Sequence, residues 1–266
     1  MEMLTYLQDN LKNGRIVRWP ESCFPLKFYI APFRWYAQRG NDAYKYHSLV
    51  QRALNEWEKV GGGKIRFKLV QTLNDSQINL DWQRVDRKAL GYCKFLDDNY
   101  RLYTGEIQIG LSDGILHQQY QDENEVYHTI LHEIGHALGL GHSPYETDIM
   151  YTPHKYGVVS LSKRDAISLQ TLYKLPIGIS VKELAQKYNI NSDNIDYIIA
   201  HASSAKKSNE FENVKNSIKI PQKDLLSEQD KLAEMKKYNL GLQNVQISSN
   251  IQEYIKKKIV LPKDKQ

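Results

Sequence analysis

His132-Glu133-Ile134-Gly135-His136-Ala137-Leu138-Gly139-Leu140-Gly141-His142 is the stretch from which the fold and chemistry of this chain are best predicted. His132 and His136 are four residues apart, so on a helix they lie on one face with Cβ atoms about 5–6 Å apart. Two imidazoles in this arrangement can bind one metal ion. Glu133 is the next residue round the helix, and its carboxylate there stands beside the metal as a general base for water.

The third histidine requires the helix to end. Each helical residue advances by about 100°, so a continuing helix would turn His142 roughly 120° away from His136. Gly139 supplies the end, because glycine accepts the left-handed conformation that is common just past a helix, and Gly141 loosens the returning chain. Three neutral imidazoles leave one tetrahedral position open for water, which is typical of catalytic zinc. We therefore predict one zinc ion bound by His132, His136 and His142, with Glu133 as the catalytic base.

An ordinary helix with hydrogen-bonded histidines is the alternative interpretation of a bare H-E-x-x-H pattern. Gly139 and His142 together argue against it. His128 extends the row of histidines, but it is eight residues from His136, which is about 12 Å along a helix axis. Because these histidines cannot all bind one ion, we interpret His128 as a packing residue or as one that supports a ligand.

Composition limits the class of protein. The chain has 266 residues, of which 41% are hydrophobic, enough for one large domain or for a domain with an appendage. Apolar runs stay well short of the ~20 residues of a membrane span. Residues 1–20 lack the apolar segment of a signal peptide. The sequence therefore predicts no membrane span, and a location that is cytoplasmic or reached by non-classical export.

Charge and cysteine usage narrow the function further. The net charge is +5, and residues 176–266 hold 15 lysines, no arginine and 11 acidic residues, so residues 1–175 are close to neutral. We therefore expect no nucleic-acid groove in residues 1–175.

The two cysteines, Cys23 and Cys93, are too few for a disulfide framework. Free thiols are predicted, and a single bridge remains the alternative if the protein is exported.

Hydrophobic patterning predicts an α+β domain. Helical spacing indicates helices at 42–60, with Asn41 or Asp42 as the cap, at 123–138, and from Ser162 to Tyr173. An amphipathic stretch at 181–190 indicates one more. Alternating apolar residues indicate strands at 26–30, 65–69, 78–82, 90–93 and 106–110.

Two further motifs carry a family resemblance. The zinc motif continues as His142-Ser143, and Asp148-Ile149-Met150-Tyr151 follows shortly after it. The sequence here resembles the metzincin metalloproteases, and within them the matrixins. The resemblance implies a metzincin fold, with a twisted mixed sheet of about five strands, an active-site helix, a second long helix and a C-terminal helix. It also implies that Met150 is the methionine of the Met-turn, a hydrophobic floor beneath the zinc ligands. An ordinary core position is the alternative.

The resemblance covers only part of the chain and suggests three regions. Residues 1–20 are an N-terminal extension, 21–175 are the matrixin-like catalytic domain, and 176–266 are a lysine-rich appendage, helical or partly disordered. The lysine runs of that appendage are typical of solvated surfaces.

The family also implies how a substrate is held. In matrixins an edge strand above the zinc helix pairs with an extended peptide by β-augmentation. The resemblance assigns this role to the strand that contains Glu106, Ile107, Gln108, Ile109 and Gly110. It assigns the wall of the S1′ specificity pocket to residues 151–159, in which Tyr151, Pro153 and Tyr156 are the predicted wall residues. Pocket depth, and so the preferred substrate, stays open.

The sequence departs from the matrixin pattern in two places, residues 81–110 and the surroundings of Cys23, and two aspartate positions have alternative interpretations. Residues 81–110 contain no histidine, so the structural second zinc of matrixins is expected to be absent. Asp97, Asp98 and Asn99 lie close together and could bind calcium, for which a solvated turn is the alternative. Cys23 precedes the zinc motif without the propeptide signature of the family, which argues against a role in latency. Asp165 matches an aspartate that can pair with a mature N-terminus, or it faces the dipole of its own helix.

The predicted function is a zinc-dependent endopeptidase, a monomer that acts on protein or peptide substrates. The alternative is a non-catalytic zinc-containing binding module whose tail docks a partner. A third hypothesis is a protein whose tail dominates its function by targeting a cell wall or a nucleic acid.

Overall fold

A mixed β-sheet with helices packed against it forms the centre of the molecule. The computed structural model describes residues 3–33, 42–84, 90–111 and 122–204. The helices and strands are, in chain order, β1 (Leu11–Lys12), β2 (Arg15–Ile16), β3 (Leu26–Ile30), α1 (Asp42–Val60), β4 (Phe67–Leu69), β5 (Ile78–Arg84), β6 (Gly91–Asp98), β7 (Arg101–Leu111), α2 (Glu123–Ala137), α3 (Lys163–Leu172), α4 (Val181–Tyr188) and α5 (Ile195–Ser204).

The sheet has the strand order β4-β3-β5-β7-β6. The first four strands are parallel, and β6 is antiparallel to β7. Alternating side chains such as Leu26 and Phe28 on β3, and Ile107 and Ile109 on β7, are fully buried. The predicted α+β class with a five-stranded mixed sheet is therefore confirmed.

The edge strand beside α2 is β6, not β7. The prediction that the strand at 106–111 forms this edge is wrong, because β7 pairs with β5 on one side and with β6 on the other. The physical reason is a tight hairpin. Asn99 and Tyr100 both adopt positive φ angles, of 47° and 65°, and return the chain so that β6 lies outside β7.

Helix α1 packs across α2 and supports it from behind. Its apolar face buries Leu49, Val50, Ala53 and Trp57, as helical spacing predicts. The Trp57 indole Nε1 donates to the carbonyl of Leu131 on α2 at 3.0 Å. The two helices are therefore joined by a directed hydrogen bond as well as by apolar contact. Asn41, the other predicted cap of α1, lies outside the described residues.

The N-terminal segment and the last two helices share the core of the sheet domain. Tyr6, Leu7 and Trp19 are almost fully buried, as are Leu184 and Ile198 on α4 and α5. All five belong to one hydrophobic cluster with the residues of the sheet. The division at residues 20 and 175 thus stays a prediction about the family domain, while the packing is continuous across both positions.

The region after residue 175 is helical as far as it is described. Helix α4 begins with a capping box in which Ser180 and Glu183 exchange hydrogen bonds. It ends at Asn189, which adopts a left-handed conformation. The sequence did not predict α5. Residues 205–266, which contain the lysine runs of the tail, lie outside the described residues. In the part of the chain that the structure covers, no helix is both long and apolar enough to cross a membrane.

Candidate metal centre and adjoining cleft

Three histidines converge at the C-terminal half of α2. His132 and His136 come from successive turns of the helix, and His142 comes from the loop that follows. One nitrogen atom of each lies within 4.8 Å of the others. Among the described residues, this is the one group of three or more histidine, cysteine or acidic side chains spaced to hold a metal ion. The structure therefore brings together the three predicted ligands.

The turn that returns His142 to the helix begins at Gly139, as predicted. Gly139 has φ +94°, which favours glycine. At the end of the helix the carbonyl groups of Gly135 and His136 accept from backbone N–H groups of the turn, and the next three carbonyl groups each accept from a side chain. Ala137 accepts from the Trp19 indole at 2.7 Å, Leu138 from the Tyr173 hydroxyl at 2.9 Å, and Gly139 from the Asn10 amide at 2.6 Å. The end of the helix is thus fixed rather than frayed.

The two helical histidines are held in the tautomer that a metal requires. His132 Nδ1 lies 2.8 Å from the Ile149 carbonyl oxygen, and His136 Nδ1 lies 2.8 Å from that of Leu140. Because a carbonyl only accepts, each Nδ1 carries the hydrogen and each Nε2 carries a lone pair. The two Nε2 atoms are 3.1 Å apart, close to the roughly 3.3 Å expected for tetrahedral nitrogen ligands of zinc at 2.0–2.1 Å.

Burial keeps these imidazoles neutral. It lowers the pKa of His136 to about 4, and it lowers the pKa of His132 well below the usual value, with His136 as the next cause. Two neutral rings with facing lone pairs repel each other unless a cation lies between them. The donor set therefore fits a zinc ion, which binds neutral imidazole.

Glu133 faces the same space as the histidines. Its side chain is only 5% exposed, and within the described structure no donor reaches its Oε2 atom. A buried oxygen without a partner is costly and indicates a bound water or ligand. Burial raises the pKa of Glu133 to about 8. Burial therefore favours the protonated form of Glu133, and a cation bound nearby would favour the ionised carboxylate, the form that can accept a proton.

Met150 lies directly beneath the helix that carries the ligands. It is fully buried, and its carbonyl oxygen accepts from Ser143 N at 2.8 Å. A Cβ atom added to Gly135 would overlap Met150 Sδ and lie 3.0 Å from Trp57 Cζ2. Gly135 therefore allows the methionine to approach the backbone between His132 and His136, the place expected for a hydrophobic floor.

A cleft of about 450 Å³ opens beside the histidines. Its walls come from the start of β6, from α2 and from the segment 151–154. Of the three predicted wall residues, Tyr151 and Pro153 line it, whereas Tyr156 packs edge-on against His154, with ring centroids 5.1 Å apart, and is not a lining residue. The predicted strand residues 106–110 do not line it either. Thr152 and His154 also line it and belong to the predicted wall segment 151–159, whereas the lining residues that the sequence did not indicate are Leu90, Gly91, Tyr92, Cys93, His128 and Thr129. That this cleft is the S1′ pocket stays a prediction.

The comparison with known proteins agrees with this geometry. The family model for matrixins, peptidase family M10, matches residues 26–174, which is more than half of the chain. The chain belongs to the matrixin family. Its zinc motif, Met150 and all five strands of the sheet lie within the matched residues. The family is one of zinc metalloproteases, and the three-histidine group of this matrixin is the corresponding feature.

Curated relatives of this matrixin occur in insect viruses. Proteins designated as matrix metalloproteinases are 26% identical over 163 residues in Heliothis virescens ascovirus 3e, 49% over 55 residues in Invertebrate iridescent virus 3, and 26% over 137 residues in Trichoplusia ni ascovirus 2c. The matched stretches cover 52%, 20% and 44% of this chain. They cover 34%, 14% and 26% of the viral proteins, so this chain corresponds to about a third of their length or less.

A buried polar cluster backs one wall of the matrixin cleft. Glu125, which is 1% exposed, lies with Oε2 2.6 Å from His154 Nε2, and its other oxygen accepts from Gly157 N at 3.4 Å. The His154 ring stands edge-on to His128, with centroids 4.1 Å apart. The sequence signal for this cluster was present but weak, since Glu125 and His128 are three residues apart on one helix face.

Burial disfavours charge on both members of the Glu125–His154 pair. It raises the pKa of Glu125 to about 7 and lowers the pKa of His154 to about 4. Both shifts favour the neutral forms of the two groups, which are joined by the 2.6 Å contact between Glu125 Oε2 and His154 Nε2. Burial therefore opposes charge in the wall of the cleft beside the histidines.

The stability of this matrixin is expected to depend on pH through Glu125. Its folded-state pKa of about 7 exceeds an unfolded value of about 4.3. The proton thus contributes stability that is fully present below the unfolded pKa and is lost as the pH rises through 7. Glu125→Gln has no carboxyl group to titrate, so it should not lose this stability. The unfolding free energy of Glu125→Gln minus that of wild type should therefore rise by roughly 1–3 kcal/mol between pH 5 and pH 8.

Urea unfolding of the metal-free proteins across this pH range measures the effect. His154 titrates in both proteins, so its contribution largely cancels in the difference. Glu146→Gln serves as a surface control, because Glu146 is exposed and pairs only with Lys155 there. A constant difference between wild type and Glu125→Gln from pH 5 to 8 would contradict the raised pKa.

Two other sequence predictions concern the surface. Asp97 accepts from Lys12 Nζ and from Tyr100 N in the turn between β6 and β7, which is the arrangement of a hydrogen-bonded turn. Calcium binding there stays a prediction. Cys23 and Cys93 are both free thiols, so no bridge joins them. Burial raises the pKa of Cys93, and the charge of Glu133 adds to this, so the thiol in the cleft stays protonated.

Proposed function

We propose that this matrixin is a zinc-dependent endopeptidase in which His132, His136 and His142 bind the metal and Glu133 is the general base. One observation supports this above the others. Two Nε2 lone pairs face each other at 3.1 Å, and a buried Glu133 oxygen without a hydrogen-bond partner faces the same cleft. A cation and a water together would satisfy both features, and that pair is what hydrolysis of a peptide bond needs.

Glu133 moves the protons of the reaction. A zinc ion held by the three histidines would polarise a carbonyl oxygen and acidify water. Glu133 accepts a proton from the attacking water and then passes it to the leaving amine. The position of Glu133 supports both steps, since its buried carboxyl group faces the cleft beside the three histidines.

The substrate chain is proposed to pair with β6. This strand is the edge of the sheet next to α2, and its backbone faces outward on the side away from β7. Gly91 lets the strand approach the helix, because an added Cβ would lie 2.8 Å from Thr129 Cγ2 and 3.0 Å from Glu133 Cγ. An extended peptide added at this edge by β-augmentation would pass Glu133. One side chain of the peptide would then enter the cleft beside Tyr151 and His154.

A combined zinc and proteolysis assay tests the proposal. Purified protein should carry one zinc per chain by elemental analysis and should digest casein. A chelator should abolish the digestion, and added zinc should restore it. A protein that binds zinc without cleaving casein or a peptide library would be the non-catalytic binding module instead. A protein without zinc would refute both functions.

A further inference from the structure

His142, the third predicted zinc ligand, differs from His132 and His136 in the group that contacts its Nδ1 atom. His132 and His136 are each fixed by a carbonyl from the matrixin region itself. His142 instead contacts Asp9, from a segment far upstream. Asp9 Oδ2 accepts from His142 N at 2.7 Å and lies 3.3 Å from His142 Nδ1. With Asp9 beside Nδ1, Nε2 is the nitrogen of His142 that is left to bind a metal ion.

The segment that carries Asp9 is packed closely against the zinc loop. We name residues 3–19 the N-terminal strap. Beside Asp9, the Asn10 amide donates to the Gly139 carbonyl at 2.6 Å. A Cβ atom added to Gly141 would lie 2.8 Å from both Asp9 Cβ and the Asp9 carbonyl carbon. A glycine is therefore needed at position 141 because the strap crosses the chain there without room for a side chain.

Helix α5 sets the position of the strap. Asp196, which is 5% exposed, accepts from Thr5 Oγ1 at 2.6 Å, from Leu7 N at 2.7 Å and from Gln8 N at 3.0 Å. The Gln8 side chain in turn accepts from Ile195 N at 2.9 Å. Residues 3–19 and α5 both lie outside the matched matrixin region of 26–174.

We propose that Asp9 is a positioning residue for His142, held in place by α5 through Asp196. The inference rests on the proposed function. Asp9 fixes the tautomer and the orientation of His142, as a carboxylate does when it accepts from the second nitrogen of a metal-bound imidazole. His142 is 43% and Asp9 57% exposed, so solvent screens their attraction. Asp9 is therefore expected to favour zinc binding through its fixed position and less through its charge. The strap and α5 hold its carboxylate next to His142, which is otherwise exposed.

Zinc affinity of the full chain tests the proposal. Asp9→Ala should weaken zinc binding about tenfold, at the lower end of the 10–100-fold range typical of such partners. Asp9→Asn can keep an oxygen acceptor beside His142 N and Nδ1 but removes the negative charge, so its affinity should fall between those of wild type and Asp9→Ala. Competition with a chromophoric chelator measures the dissociation constants. The visible spectrum of the cobalt-substituted protein should shift in both variants, which a merely structural change would not cause.

Asp193→Ala is the matched control, since Asp193 is an exposed aspartate just before α5. Its zinc affinity and cobalt spectrum should match wild type. Wild-type affinity in Asp9→Ala, or an equal loss in Asp193→Ala, would overturn the role of Asp9. A wild-type chain that binds no zinc would refute the proposed function itself, so the two failures are separate results of one titration.

Discussion

Glu133→Ala is expected to keep one zinc per chain while lowering the rate of peptide cleavage about 10²–10⁴-fold. The three histidines do not depend on Glu133, because the two on α2 are fixed by backbone carbonyls. The loss falls on proton transfer alone, a step for which a positioned base typically contributes 10²–10⁴-fold. The zinc content and the kcat of the variant, measured on the same preparation, check both halves of this expectation.

Glu133→Gln sharpens the test. The amide has the same shape as the carboxyl group and occupies the same buried position, but it cannot accept the proton. Its kcat should fall as far as that of the alanine variant, whereas its folded structure should change less. Glu146→Ala, on the exposed Glu146–Lys155 pair, should leave kcat unchanged. Cleavage that survives in both Glu133 variants would exclude this residue as the base.

The zinc motif could be predicted because its information is local. The spacing of His132 and His136 determines their common face on any helix. Gly139 then determines that the chain turns, as its φ of +94° shows. The same logic correctly predicts α1, α2 and α3, whose apolar periodicity depends only on nearby residues.

Strand order could not be predicted in this way. Alternation in residues 106–110 indicates a strand and its two faces, but it does not indicate which strands lie beside it. The edge position of β6 follows from a turn with positive φ at Asn99 and Tyr100. Asn favours such a conformation and a turn at residues 97–99 is one of the two interpretations of the sequence there, but a turn does not indicate which of the two strands that it joins lies at the edge of the sheet.

Contacts between distant parts of the chain could not be predicted from local sequence patterns either. Gly141 was expected only to loosen the loop, but it is required by the strap that crosses it. Asp165 could have paired with an N-terminus or with its own helix dipole. It forms a capping box with Ser162 and also accepts from the Tyr6 hydroxyl at 2.7 Å. Partners about 130 to 160 residues apart in sequence are visible only after folding.

Arg164→Met is expected to cause the largest loss of stability, about 3–5 kcal/mol of unfolding free energy. Arg164 Nη1 lies 3.0 Å from each oxygen of Asp148, whose side chain is fully buried. The guanidinium also stacks on the Tyr145 ring at 3.7 Å. Removing the arginine leaves a carboxylate without its counter-charge in the interior, and burial already raises the pKa of Asp148, with Asp165 as the next cause.

A double-mutant cycle isolates the pair. Asp148→Asn removes the buried charge, so Arg164→Met should cost markedly less in that background than in wild type. Urea unfolding of the four metal-free proteins gives the coupling energy. Lys155→Met is the surface control, since Lys155 and Glu146 form an ion pair in which both side chains are more than a third exposed. Its cost should stay below about 1 kcal/mol. Equal losses for Arg164→Met in both backgrounds would show that the ion pair is not what stabilises this region.

Arg164→Met should also weaken zinc binding at the three histidines. Asp148 precedes Met150 by two residues and also accepts from the Ser143 hydroxyl, while Ser143 N donates to the Met150 carbonyl. If Asp148 loses its ion pair with Arg164, Met150 beneath α2 and the loop that follows His142 should both become less well fixed in position. We expect zinc affinity to fall in Arg164→Met at temperatures well below its unfolding transition, with recovery in the variant that also carries Asp148→Asn. Zinc affinity equal to wild type in Arg164→Met would mean that the floor keeps its position without the ion pair.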